Sequence, residues 1–190
     1  MLTSMKTVIR FALLLVVAVV ALVVASQLIH PESGGGPAVA PDRPPDTAQD
    51  VAEPAMRPAD AASLRVDYVH DGDTLFLTDA AGAELKVRLI GVDTPELDTE
   101  CFANEARDHL RALLPEGAQV WATHDDEPRD QYGRELLYLW TASGEFVNRQ
   151  LVEEGFAEAV RIGANDAYWP QLSAAEEAAR GSAVGLWGVC

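Results

Sequence analysis

Val87-Arg88-Leu89-Ile90-Gly91-Val92-Asp93-Thr94-Pro95-Glu96 joins a strand-like segment to a loop that carries two carboxylates. Glu84 to Ile90 alternates, with Lys86 and Arg88 on the face opposite Leu85, Val87 and Leu89, the period of a half-buried strand. Upstream, Leu64–Val69 alternates again, Leu75–Thr78 is a strand candidate, and Asp79-Ala80-Ala81-Gly82 reads as a turn. Downstream, Phe102, Ala106, Leu110 and Leu113 recur at helical spacing until Pro115 and Gly117 stop the helix. Two further strands are expected at Ala118–Thr123 and Leu136–Thr141. An apolar stripe of Val147, Leu151 and Val152 ends at Gly155, which suits a C-cap, and a last helix is expected over about Trp169–Arg180. Five short strands with helices inserted and appended predict a small, partly closed barrel of β+α class. No internal repeat is visible.

The first 63 residues stand apart from this pattern. Lys6 and Arg10 precede an apolar run from Phe11 that extends, with Ser26 and Gln27 as dents, to Ile29. At 1.5 Å per residue it would span roughly 28 Å, close to the hydrocarbon thickness of a bilayer. The basic flank places the N-terminus inside and everything after Ile29 across the membrane. An uncleaved transmembrane anchor is the expectation for residues 1–29. A cleaved signal peptide is the competing one, because Val23-Val24-Ala25 suits the small-residue cleavage rule. Residues 30–63 hold 7 of the chain's 11 prolines and a Gly34-Gly35-Gly36 run, without apolar periodicity. Such a stretch reads as a disordered, semi-extended linker, with a short Ala-rich helix near Ala59–Ser63 as the alternative. Residues 64–190 are the expected folded domain, working outside the cytoplasm, either membrane-anchored or secreted.

Charge sets a constraint on function. The 190 residues hold 14 Lys+Arg against 30 Asp+Glu, a formal net charge of −16, with 48% hydrophobic residues. That acidity speaks against a protein that coats nucleic acid through a broad basic surface, since such binding depends on Lys and Arg displacing counterions. The chemistry-bearing residues form four groups. His70-Asp71-Gly72-Asp73-Thr74 places two carboxylates around a turn; Asp93-Thr94-Pro95-Glu96 places two more on a stiffened loop; Arg88 and Arg134 complete the set. Singly, each reads as a solvated loop or surface charge. Together they offer oxygen ligands for a hard cation, two guanidiniums for a phosphate and a spare carboxylate for a proton. That combination points to phosphoryl transfer.

Residues Leu64 to Trp187 resemble the staphylococcal nuclease (thermonuclease) family. The resemblance is carried, in order, by Asp71-Gly72-Asp73-Thr74, by Val87 to Glu96, and by Asp130-Gln131-Tyr132-Gly133-Arg134. Val147-Asn148-x-x-Leu151-Val152-x-x-Gly155-Phe156-Ala157 and Gly185-Leu186-Trp187 follow. It implies an OB-fold, a five-stranded β-barrel with about three α-helices, and Ca2+-dependent hydrolysis of DNA and RNA that leaves 3′-phosphate ends. It further implies Asp73 and Asp93 as calcium carboxylates, Thr94 as a carbonyl ligand, Glu96 as general base, and Arg88 and Arg134 as phosphate-binding arginines. Tyr132 matches the tyrosine near the bound nucleotide.

The departures from the family pattern lie around the substrate. Gln131 replaces a lysine, and the tyrosines that pack on the base are replaced by a segment containing Arg161, which could stack on a base instead. The acidic His124-Asp125-Asp126-Glu127 loop reads as solvated, with a second weak calcium site as the sharper alternative. Cys101 and Cys190 are the two cysteines, and export favours a disulfide between them. His70 and His109 read as surface or structural residues, and the four tryptophans as core or core-edge packing. A monomer is expected. The competing function is a non-catalytic, envelope-tethered OB-fold module that binds nucleic acid or protein; the intact carboxylate and arginine set weighs against it.

Overall fold

The computed structural model describes residues 56–190; the apolar segment 1–29 and the spacer up to residue 55 lie outside the described residues. Five strands close into a barrel: β1 (Ala62–Val69), β2 (Thr74–Thr78), β3 (Glu84–Leu89), β5 (Gln119–Thr123) and β6 (Glu135–Thr141), in the order β1-β2-β3-β6-β5. All neighbours are antiparallel except β3 and β6, which run parallel. A two-residue pair, β4 (Val92–Asp93) with β7 (Glu158–Ala159), lies outside the barrel. The helices are α1 (Ala103–Leu113), α2 (Val147–Glu153), α3 (Trp169–Gly181) and a single C-terminal turn, α4 (Leu186–Val189). The expected OB-fold with three main helices is therefore observed.

Alternation dictates the barrel interior. Leu75, Leu77, Val87, Leu89 and Val120 are fully buried, whereas the residues between them on β2 face outward. On β1 the period shifts: Val66 and Val69 are both buried, because a bulge between Val66 and Tyr68 inserts one residue into the ladder. β6 is buried from Glu135 to Trp140. Its inner face lines the barrel, while Tyr138 and Trp140 pack against Phe146 and Tyr168, with ring centroids 4.6–5.9 Å apart. A strand covered on both faces reads as a continuous apolar run.

Two differences from the sequence reading concern edges. β1 begins at Ala62, and Ala61 is buried while the Arg57 guanidinium lies 4.1 Å above the Trp121 ring. The last residues assigned to the linker are thus strand, pairing Ala62 with Ala122 and Ser63 with Trp121, and no helix forms there. In α1 it is Leu114, just past the last helical residue, that is buried with Leu110, and Leu113 is only half-buried. Gly155 terminates α2 at φ 72°, where Leu151 O accepts from Phe156 N at 2.8 Å, the reversal expected of a left-handed cap. Cys101 and Cys190 form a disulfide with Cα atoms 6.0 Å apart, tying the C-terminus to the segment that enters α1.

Candidate active site

The β1–β2 turn is shaped by its own carboxylate. Asp71 Oδ1 accepts from the N–H groups of Asp73 at 3.0 Å and Thr74 at 2.6 Å, so the chain reverses tightly enough to bring Asp73 against the loop after β4. Gly72 makes that approach possible, since a Cβ there would meet the Thr94 side chain at 2.7 Å. Thr94 in turn donates both its N–H and its hydroxyl to Asp73 Oδ2, each at 3.0 Å. The two loops that the sequence places twenty residues apart are thereby locked together.

Arg88, inside β3, joins them from below. Its guanidinium lies 3.2 Å from Asp73 Oδ2 and 2.8 Å from Asp93 Oδ1, and it donates to the carbonyls of Leu89 at 3.1 Å and Val92 at 2.6 Å. Asp73 and Arg88 are 7% and 9% exposed, so both charges sit out of water and depend on each other. Burial pushes the Asp73 carboxyl above the usual carboxylate range, Arg88 pulls it back, and the Asp71 charge raises it again. The site is thus short of positive charge around a buried carboxylate. Asp73 and the exposed Asp93 meet on Arg88 and offer only oxygen donors, which suit a hard cation better than a soft one. Among the described residues no group of three or more His, Cys, Asp or Glu forms a ready-made cage. Water and substrate oxygens would have to complete such a shell.

Arg134 reaches the site from the loop before β6. The parallel register Val87↔Glu135 and Arg88↔Leu136 sets it beside Lys86, and Lys86, Tyr132 and Arg134 line one open recess of about 300 Å³. Asp130 orients it: Oδ2 takes the Arg134 Nε–H at 2.6 Å, and Oδ1 takes the N–H groups of Tyr132 and Arg134 at 2.9 Å. Burial opposes ionisation of Asp130, but these hydrogen bonds outweigh it and hold the carboxyl below its ordinary range. Because Asp130 takes Nε, the terminal nitrogens of Arg134 stay free for a phosphate.

The remaining expected residues are placed less tightly. Glu96 stands exposed on its loop, three residues past Asp93, its backbone N–H donating to Glu100 at 2.8 Å. Tyr132 is 76% exposed, with the Arg134 guanidinium 5.8 Å from its ring centroid. Arg161 is not brought to this network: it lies 4.7 Å over the Trp169 ring and 3.4 Å from Asp166. The acidic loop has structural partners, Asp125 accepting from Tyr138 and Ala167 and Glu127 bonding through its backbone to Asn165. His109 stacks on Phe156 at 3.8 Å and pairs with Glu154, a structural role, and His70 is exposed.

Asn148 was quoted in the sequence pattern without a role, and the structure gives it one. Fully buried in α2, it accepts from Leu139 N at 2.9 Å and donates to Ile90 O at 2.8 Å and Leu137 O at 3.3 Å. It ties Ile90, where the chain leaves β3 toward Asp93, to the middle of β6. A polar residue inside an apolar helical stripe is the signal that could have found it.

A closed OB barrel that sets opposed carboxylates and arginines at one end defines the class, an OB-fold hydrolase domain. The chain belongs to the staphylococcal nuclease family: the model described as "Staphylococcal nuclease homologue" matches residues 86–189. It is 35% identical over 130 residues to a thermonuclease of Staphylococcus intermedius, covering 66% of this chain and 76% of that protein. With a thermonuclease of Staphylococcus hyicus it shares 31% identity over 134 residues, covering 68% and 78% respectively. Endonuclease YhcR of Bacillus subtilis is 34% identical over 134 residues, which make up 64% of this chain and 11% of that protein.

Proposed function

We propose that this nuclease-family hydrolase is a calcium-dependent endonuclease that cleaves DNA and RNA outside the cytoplasm and leaves 3′-phosphate ends. The observation that carries the reading is Arg88 bridging Asp73 and Asp93, 3.2 and 2.8 Å away, at the mouth of the barrel. Asp73, Asp93 and the Thr94 carbonyl would hold the ion, which supplies Lewis-acid stabilisation of charge on the phosphate oxygens. Arg88 and the free edge of Arg134 bind the remaining phosphate oxygens and gain strength as negative charge builds there. Glu96, unencumbered on its loop, takes a proton from the attacking water. The water oxygen bonds to phosphorus, the bond to the 5′ oxygen breaks, and that oxygen leaves with a proton from solvent. Export is supported by the apolar N-terminal segment and by the Cys101–Cys190 disulfide, a bond that persists in oxidising compartments.

The test is the full chain incubated with end-labelled single-stranded DNA and RNA, in calcium and then in chelator, with the ends of the products analysed. Cleavage in calcium alone, 3′-phosphate products and a loss of at least about a hundredfold in Glu96→Gln are expected. Turnover unaffected by chelator, or a Glu96→Gln rate near wild type, would reject the mechanism.

A further inference from the structure

The outer face of the barrel carries a line of side chains that the proposed reaction does not use. Tyr68 on β1 sits opposite Phe76 on β2, and Phe76 opposite Lys86 on β3. The Tyr68 and Phe76 rings stack at 4.6 Å with 9° between their planes, and the Lys86 ammonium lies 5.8 Å from the Phe76 centroid. Leu75, Leu77 and Val87 fill the interior, so the line is not needed for the core. Tyr68 is 40% exposed all the same.

Both ends of the line open onto space. Tyr68 lines a recess of about 520 Å³ with Arg111, Leu114 and Pro115. Lys86 lines the recess that holds Tyr132 and Arg134, so the stripe is continuous with the candidate active site. Charge favours the same occupant. Lys86 is the one lysine among the described residues and forms no carboxylate pair among them, whereas Arg88 and Arg134 are held by carboxylates. In so acidic a domain an unpaired ammonium over an aromatic ring is a place for a phosphate.

We propose that Tyr68, Phe76 and Lys86 form a base-stacking subsite for a nucleic-acid strand, beside the recess that Lys86 shares with Arg134. Three adjacent strands cover roughly 10 Å, so the line from Lys86 to Tyr68 spans about three stacked nucleotides at about 3.4 Å each. The strand leaves Arg134 with a phosphate over Lys86 and inserts a base against Tyr68 in the larger recess. This rests on the nuclease reading and deepens it by naming a substrate contact on the outer face of the barrel.

The experiment compares kcat/KM of the full chain, in calcium, on a 12-nucleotide single strand and on a dinucleotide. Tyr68→Ala lowers the 12-mer to dinucleotide ratio by roughly 5- to 150-fold, the range that base–aromatic stacking covers, and Tyr68→Trp restores it. Lys86→Gln lowers the same ratio. A ratio unchanged in both Tyr68→Ala and Lys86→Gln, with both substrates cleaved, overturns the subsite and leaves the nuclease reading standing. Should wild type cleave neither substrate, the nuclease reading falls, and fluorescence anisotropy decides the subsite alone: weaker binding of the 12-mer by Tyr68→Ala than by wild type supports it, and equal affinity of the two overturns it.

Discussion

Replacing Arg88 by alanine damages stability and chemistry together, and the structure shows how to separate the two. Arg88 makes two ion contacts and two carbonyl contacts, but they are not equal. The Asp93 side chain is 61% exposed, so its pairing with Arg88 is screened and contributes little, about 0–1 kcal/mol. The Asp73 side chain is 10% exposed and the Arg88 side chain 11%, and removing one partner of such a pair costs about 3–5 kcal/mol. Against a typical domain stability of about 5–15 kcal/mol, Arg88→Ala sits near the edge of folding. A double variant, Asp73→Asn with Arg88→Met, removes both buried charges and keeps similar volume. Its remaining deficit is the unmet Leu89 and Val92 carbonyls, about 1–3 kcal/mol each, a loss it shares with Arg88→Ala. The double variant is therefore expected to be more stable than Arg88→Ala, while both lose at least about a hundredfold in turnover. Urea unfolding in chelator, followed by tryptophan fluorescence, measures the first quantity free of metal linkage. Single-strand cleavage in calcium, at a temperature where each variant is folded, measures the second. Arg88→Ala within about 1 kcal/mol of wild type, or a double variant no more stable than the single one, would refute a mutually dependent buried pair.

Asn148→Ala leaves Leu139 N–H and Ile90 carbonyl without their side-chain partner, and a loss of about 2–5 kcal/mol is expected from denaturant unfolding; a loss under about 1 kcal/mol would mean that water replaces the amide. Cys101→Ser opens a linkage between residues 89 apart, and in the chain-entropy model lowers stability by about 4–5 kcal/mol; equal melting of this variant and wild type would contradict that. Asp130 has its folded pKa held below the unfolded value near 3.8, so its contribution is complete above that value and lost as pH falls through the lower one. The stability difference between wild type and Asp130→Asn should therefore be constant at neutral pH and vanish in acid; a difference that persists or grows there would reverse the sign.

Legibility in the sequence followed the physics of each element. Glu84–Leu89 could be read because its two faces differ, with Lys86 outward and Val87 and Leu89 inward. The bulge in β1 was invisible, because an inserted residue leaves both Val66 and Val69 apolar and only shifts the phase. β4 and β7 are two residues each, too short for any period to register. In the site, the Asp73, Arg88, Asp93 and Thr94 network was legible from motifs whose spacing survives intact. The surroundings of Arg161 were not: Asp166 lies in the loop before α3 and Trp169 opens that helix, and nothing in the composition reveals that the fold brings the guanidinium to them. Asp71 and Asp130 were legible as carboxylates but not as positioning groups, since which oxygen meets which N–H is settled only by the turn.

The acidity that argues against a nucleic-acid protein is compatible with this site once its distribution is considered. Residues 64–190 carry 10 Lys+Arg against 24 Asp+Glu. Many of the arginines are held locally, Arg129 by Glu135, Arg149 by Glu153 and Arg180 by Glu158 and Glu176. These pairs lend no field to a distant phosphate. The cations left facing the recess are Lys86 and the free edge of Arg134, with Arg88 behind them between its two carboxylates. A polyanion meeting so acidic a domain finds few cations beyond that short path, which keeps the number of phosphates it can neutralise small. Affinity for long nucleic acid then stays weak and depends only shallowly on salt, because each neutralised phosphate of a single strand contributes a slope of about −0.7. Weak grip is no handicap to a hydrolase whose products are themselves polyanions. The same repulsion that discourages tight binding of substrate speeds the departure of cleaved ends, so the carboxylate excess works with turnover while the few exposed cations determine where the strand can touch.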